Sequence, residues 1–157
     1  MVTSDPIPND GSITEGSCRC GEVRFAVRGK PVATMACHCT GCQKMTGSAF
    51  SLSSLYPSEA FEIKTGDTVI GGLHGDIRHH FCDHCKSWLF TYVEQIHGFV
   101  NVRATMLEDA PTYAPFIETY TSEMLPWAKT PALHSFERFP PPDRLPALMA
   151  EYAQLAG

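Results

Sequence analysis

The segment Ala36-Cys37-His38-Cys39-Thr40-Gly41-Cys42 places three thiols within six positions, a spacing unlike that of core filler. Cys37 and Cys39 share a face if their backbone is extended, and Gly41 allows the turn that brings Cys42 to the same point. Three thiolates around a zinc ion leave its fourth position open, the arrangement of a catalytic site rather than a structural one. Two pairs complete the seven cysteines: Cys18 with Cys20, and Cys82 with Cys85. A structural zinc takes four closed ligands, commonly two from each of two distant segments, and the two pairs supply that set. Spacing alone leaves other partitions open, such as the triple joined by one cysteine of a pair. A solitary cysteine is usually a small buried hydrophobe; seven in three tight clusters are rarely that.

The rest of the composition bounds the setting of this chemistry. A chain of 157 residues fits one domain with its own core. Hydrophobic content of 43% and charged content of 18% describe an ordinary globular protein. The net charge of −5 and the absence of any Lys/Arg run argue against a nucleic-acid or anionic-membrane partner. Met1 to Ser17 is polar, without the apolar core of a secretory signal, and no apolar run approaches a membrane span. The expected location is the cytoplasm, where thiols stay reduced and clustered cysteines are metal ligands more often than disulfides. Seven is also an odd number, which a complete disulfide framework does not use.

The elements that must position the cysteines read mostly as strands. Residues 1–11 form an expected flexible tail, with Pro6 and Pro8 opposing regular structure. Ile13 to Cys20 reads as a strand that puts Cys18 and Cys20 on one face, and Gly21 turns it into a second strand, Glu22 to Val27. Val32 to Cys37 leads extended into the three-cysteine corner, and Thr40 to Thr46 reads as one or two helical turns stopped by Gly47. Ala49 to Leu55, Phe61 to Lys64, Ile77 to Phe81, Ser87 to Val93 and Phe99 to Arg103 are further strand candidates. Gly66-Asp67 and Gly71-Gly72 read as punctuation, and Cys82-Asp83-His84-Cys85 as a knuckle. Beyond Met106 a proline-rich stretch wraps the body, with a strand-like piece at Phe116 to Tyr120. Leu145, Leu148, Met149, Tyr152 and Leu155 fall at helical spacing, so Asp143 to Ala156 is the convincing helix. The predicted organisation is a mainly β domain over 12–139, with the helical segment 140–157 packed on it.

Gly16-Ser17-Cys18-Arg19-Cys20-Gly21, Cys37-His38-Cys39-Thr40-Gly41-Cys42 and Arg78-His79-His80-Phe81-Cys82-Asp83-His84-Cys85 together closely resemble the glutathione-dependent formaldehyde-activating enzyme family, whose domain is shared with centromere protein V. The resemblance covers roughly residues 12 to 130. It implies a β-tent of stacked antiparallel sheets stapled by zinc. It also implies two zinc ions per chain: a structural one on Cys18, Cys20, Cys82 and Cys85, and a labile catalytic one on Cys37, Cys39 and Cys42. The chain departs from the family at Lys86, where a glycine usually follows the second knuckle cysteine and a left-handed backbone is expected. Val102 to Asp109 matches the family's Gly-Thr-Leu-Asp pattern only loosely.

Other residues have two readings each. His38 and His84 lie inside ligand motifs but are expected to flank the metal, with His38 pointing away from its cysteine neighbours. His79 and His80 are expected on a strand with one face exposed, where a histidine near an open zinc would shuttle protons. Trp127 follows Pro126 as in the family and either lines a pocket or, the default, packs in the core. Arg19, Lys44, Arg78, Arg103 and Lys129 are candidates to clamp the carboxylates of a glutathione-like substrate; a solvated surface charge is the default for each. The function these features imply is a zinc-dependent carbon–sulfur lyase or synthase, adding a small thiol to an aldehyde such as formaldehyde. The rivals are a non-catalytic zinc-stapled binding module and a thiol or zinc redox sensor.

Overall fold

The computed structural model describes residues 10–92 and 97–156. In chain order these form β1 (Ile13–Ser17), β2 (Arg24–Arg28), β3 (Ala33–Cys37), α1 (Thr40–Thr46), β4 (Ser51–Pro57), β5 (Phe61–Thr65), β6 (Thr68–His74), β7 (Ile77–Cys82), β8 (Trp88–Tyr92), β9 (Phe99–Arg103), β10 (Ile117–Thr119), β11 (His134–Ser135) and α2 (Leu145–Leu155). A small sheet runs β1-β2-β5 and a large one β11-β10-β3-β4-β9-β8-β7-β6. The protein is mainly β, with two sheets and a short C-terminal helix, as the alternating pattern predicts.

Strand alternation sorts the large sheet into two faces. One face, with Tyr56, Phe90, Val100 and Val102, packs against Phe25 and Val27 of the small sheet. Each such side chain contributes about 1.5–3 kcal/mol when fully buried. The other face is divided. Toward β11 it carries Met35, Leu55 and Ile117, which pack against Leu148 of α2. Further along it turns polar. Direct pairing of Cys37 with Ser51, Ser53 with Arg103, Asn101 with Thr91, and Thr91 with His79 keeps all seven residues on this one face.

Several elements differ from the sequence expectation. β1 ends at Ser17, so Cys18 and Cys20 meet through a turn rather than strand alternation; Gly21 N–H donates to Cys18 C=O at 3.2 Å. Gly71 and Gly72 sit inside β6 instead of ending it. A Cβ on Gly71 would meet the Phe81 ring, and one on Gly72 would strike Met45 of α1; both glycines admit a close approach. β10 pairs parallel with β3 and with β11, whereas the remaining pairings are antiparallel. Pro142 to Arg144 forms a 3-10 turn ahead of α2, which therefore starts two residues later than Asp143. Residues 1–9 of the expected tail, and Val93 of the expected Ser87–Val93 strand, lie outside the described residues.

Lys86 is left-handed, with φ of 61°. The knuckle forces this: Lys86 N–H donates to Cys82 C=O at 3.0 Å while Cys82 N–H donates to Ser87 C=O at 2.9 Å. That conformation costs a residue with a Cβ about 1–2 kcal/mol. Glycine would relieve the cost but add about 0.4–1 kcal/mol of unfolded-state entropy. It would also remove an exposed ion pair to Asp83 at 3.1 Å, a contact worth about 0.2–1 kcal/mol. The balance leans toward glycine, so Lys86→Gly is expected to raise the melting temperature modestly in a thermal melt. A fall would mean that the strain is relaxed elsewhere.

Candidate metal centres

Four thiols from segments more than sixty residues apart converge at one end of the sheets. The Sγ atoms of Cys18, Cys20, Cys82 and Cys85 all lie within 4.8 Å of one another. Cys18 and Cys20 are 3.4 Å apart, and Cys20 and Cys82 3.8 Å. Zn–S bonds of about 2.3 Å in a tetrahedron put sulfurs about 3.8 Å apart, so this set fits a tetrahedral ion. Backbone N–H groups already point at the sulfurs: Val23 donates to Cys18 at 3.3 Å and Cys85 N–H to Cys82 at 3.4 Å. The Ser87 hydroxyl beside Cys85 pulls that thiol down to about 5, against the cost of desolvation. Val23 N–H and the neighbouring thiols hold Cys18 below the usual thiol range, although burial pushes the other way.

The second cluster is local. Cys37 ends β3, Cys39 caps α1 with extended backbone at φ −60° and ψ 149°, and Cys42 lies in the first turn of the helix. Their sulfurs also lie within 4.8 Å of one another. Cys42 N–H donates to Cys39 Sγ at 3.3 Å, so the sulfur acts as the helix N-cap. Hydrogen bonds from Cys39 and Cys42 lower Cys37 to about 2 despite its burial. The same bonds, with burial and the Cys37 charge, raise Cys42 far above the thiol range. Cys37 is thus pushed toward the thiolate and Cys42 toward the neutral thiol. Full deprotonation therefore calls for a cation among the sulfurs, and the set fits a thiophilic metal.

A buried carboxylate supports the corner from behind. His38, fully buried between Cys37 and Cys39, points away from the sulfurs, and its Nε2 meets Glu118 Oε1 at 3.2 Å. Glu118 also accepts from Thr130 N–H at 3.0 Å, Thr130 Oγ1 at 2.7 Å and Ser135 Oγ at 2.7 Å. Desolvation would raise its pKa, but these donors win and hold it at about 2. Sequence reasoning missed Glu118; its signal is a lone acid within the apolar run Phe116 to Tyr120. Glu123 adds a second brace, accepting Thr40 N–H at 3.1 Å at the start of α1. Because the folded Glu118 pKa is depressed, its stabilisation is present above about 4.5 and lost as pH falls toward about 2. Glu118→Gln leaves buried donors unsatisfied and is expected to cost about 3 kcal/mol in denaturant unfolding near neutral pH. Against wild-type protein that deficit should shrink on acidification.

Of the remaining candidates, His84 is exposed beside Glu22 at 3.9 Å and far less enclosed than Cys82. His79 is buried at 7% exposure and His80 half-buried, so neither occupies an open strand face. Burial and the Arg103 charge lower His79 to about 4, leaving it a neutral imidazole at neutral pH. Trp127 is 76% exposed rather than packed in the core. It lines an open groove with Gln43, Lys44 and Leu125 along α1. Arg19, Lys44, Arg78 and Lys129 are exposed, whereas Arg103 is buried.

A mainly β body thus carries one four-thiol and one three-thiol cluster, each able to hold a metal ion. The sequence profile described as "Glutathione-dependent formaldehyde-activating enzyme" matches residues 13–123, and the chain belongs to that family. A Halomonas elongata protein bearing the name "Putative glutathione-dependent formaldehyde-activating enzyme" is 34% identical over 101 residues, covering 57% of this chain and 64% of that one. A Penicillium rubens protein of the same name is 26% identical over 105 residues, covering 63% of this chain and 55% of that one. The chain thus spans less than two thirds of the length of either relative. A crystal structure of a Rhodobacter sphaeroides protein shares the fold at a TM-score of 0.51 and 17% identity, covering 60% of this chain and 88% of that one. No helix among the described residues is long and apolar enough to cross a membrane.

Proposed function

We propose that the chain is a zinc-dependent carbon–sulfur lyase or synthase acting in a reducing, cytoplasmic setting. It would add a low-molecular-weight thiol, glutathione among the candidates, to a small aldehyde such as formaldehyde. Cys18, Cys20, Cys82 and Cys85 hold a structural zinc, and Cys37, Cys39 and Cys42 a catalytic and more labile one. One observation carries this reading: the three-thiol cluster has no fourth His, Cys, Asp or Glu ligand among the described residues. The nearest imidazole in sequence, His38, is committed to Glu118 on the far side.

A zinc ion held by Cys37, Cys39 and Cys42 would supply Lewis acidity that favours the thiolate form of the substrate thiol. The chain's own residues do the positioning. The Glu118–His38 contact fixes the backbone between Cys37 and Cys39. Cys42 N–H holds Cys39 Sγ, and the Thr119 and Ser51 hydroxyls favour the charged forms of Cys37 and Cys42. In the addition, the substrate sulfur bonds to the aldehyde carbon. The carbonyl π pair moves to oxygen, and that oxygen takes the proton the thiol gave up, yielding an S-hydroxymethyl product when the aldehyde is formaldehyde. The reverse direction is the lyase reaction.

The test is exchange NMR with isotopically labelled formaldehyde and a panel of thiols, using protein loaded with two zinc ions. Acceleration of adduct formation and breakdown over the protein-free rate is the expected result. Fully loaded protein that accelerates exchange with none of the thiols would overturn the reading.

A further inference from the structure

We propose that Arg103 and His79 form a buried anion-binding corner beside the three-cysteine cluster, which receives a carboxylate carried by the thiol substrate. The proposal rests on the thiol-addition reading and names the class of thiol: a mercapto-carboxylic acid or a peptide thiol rather than a neutral one.

Of the five cationic side chains that sequence reasoning offers as clamps, Arg103 alone is buried, at 6% exposure. Its guanidinium lies over the Trp88 ring at 3.9 Å. Among the described residues no carboxylate lies within ion-pair distance of it. Its Nε is buried with no acceptor. A buried, unpaired guanidinium is costly to keep, so an anion from outside the chain is the natural partner. Register places it near the sulfurs. Arg103 pairs with Ser53, and Met35 and Cys37 pair with Ser53 and Ser51, so Arg103 is two strands across and two residues along from Cys37. That is about 10 Å and about 7 Å between backbones, a gap closed by an arginine side chain and a short substrate.

His79 adds a second unused donor. Trp88 Nε1–H, which only donates, points at Thr91 Oγ1 at 3.0 Å. Thr91 Oγ1 lies 2.9 Å from His79 Nδ1, and among the described residues its hydroxyl proton has no other acceptor. Thr91 therefore donates to Nδ1, which assigns the remaining imidazole proton to Nε2. That Nε2 is buried without a partner. Arg103 lies 3.9 Å over the Trp88 ring and the His79 ring packs edge-on against the same indole at 5.1 Å, so the two orphan donors both border Trp88. A guanidinium fork matches a planar two-oxygen anion bidentately, and a neutral N–H beside it supplies a third bond.

The test is calorimetric binding of 3-mercaptopropionate and of 2-mercaptoethanol to zinc-loaded protein, with zinc content and thermal melts recorded for every variant. Wild-type protein should bind the carboxylated thiol at least about tenfold more tightly. Arg103→Met should erase that preference while leaving 2-mercaptoethanol affinity unchanged. Arg103→Lys should recover part of it, and His79→Asn should weaken it several-fold. Equal wild-type affinity for the two thiols overturns the corner alone. Binding of neither overturns the corner and the thiol-addition reading together. A preference that survives Arg103→Met, or equal weakening of both thiols with loss of zinc, overturns the assignment; the latter result makes Arg103 a counter-charge to the metal.

Discussion

Cys82→Ser is expected to give insoluble protein, or protein without a cooperative thermal transition. Cys82 is 1% exposed and, with Cys18 and Val23, belongs to the core between the sheets. Its cluster ties the turn after β1 to the knuckle after β7, across the boundary between the small and large sheets. Structural zinc of this kind contributes about 10–16 kcal/mol of binding energy that is also folding energy. That is comparable to the roughly 5–15 kcal/mol net stability of a whole domain. Serine both weakens the metal set and leaves a hydroxyl in an apolar setting, a further cost of about 1–3 kcal/mol. Soluble yield, zinc per chain by mass spectrometry and a thermal melt check the outcome. Soluble Cys82→Ser protein that unfolds cooperatively with one zinc per chain would sink the proposed division of the cysteines into structural and catalytic sets.

Local spacing carried much of this architecture into the sequence. Cys37, Cys39 and Cys42 can be grouped from the chain alone because a strand end, a cap and a first helical turn are short-range structures. Lys86 is legible for the same reason, since four consecutive knuckle residues dictate its φ of 61°. What escaped depends on distant partners. Glu118 reaches His38 across 80 positions, through a parallel pairing of β10 with β3 that no periodicity announces. Gly71 and Gly72 look like breakers until Phe81 and Met45 fill the space that their missing side chains leave. Arg103 reads as a solvated cation because strand alternation reports which face it takes, not that Trp88 covers it there. Trp127 reads as core because indoles usually are, and its exposure follows from the groove beside α1.

Cys39→Ser is expected to leave a folded domain that retains one zinc and has lost thiol addition. Serine is among the preferred helix N-caps, so its hydroxyl can take over the bond from Cys42 N–H that Cys39 Sγ now accepts at 3.3 Å. The backbone at Cys39 is already extended, which suits serine without rearrangement. Cys37, Cys39 and Cys42 are only half-buried, and α1 contributes no buried residue, so little core packing depends on them. The cluster also closes a loop of a few residues, whereas the other joins segments 62 or more positions apart. A link over so short a span removes little entropy from the unfolded chain. The melting temperature should therefore stay within a few degrees of wild type. Loss of one of three thiolates should drop zinc affinity at this cluster sharply, and adduct formation should fall at least about a hundredfold, beyond what perturbing an outer contact does. A chelator should likewise take wild-type protein from two zinc ions to one before any unfolding is seen. Cys39→Ser protein that keeps two zinc ions and full exchange rates would remove the three-thiol cluster from the chemistry.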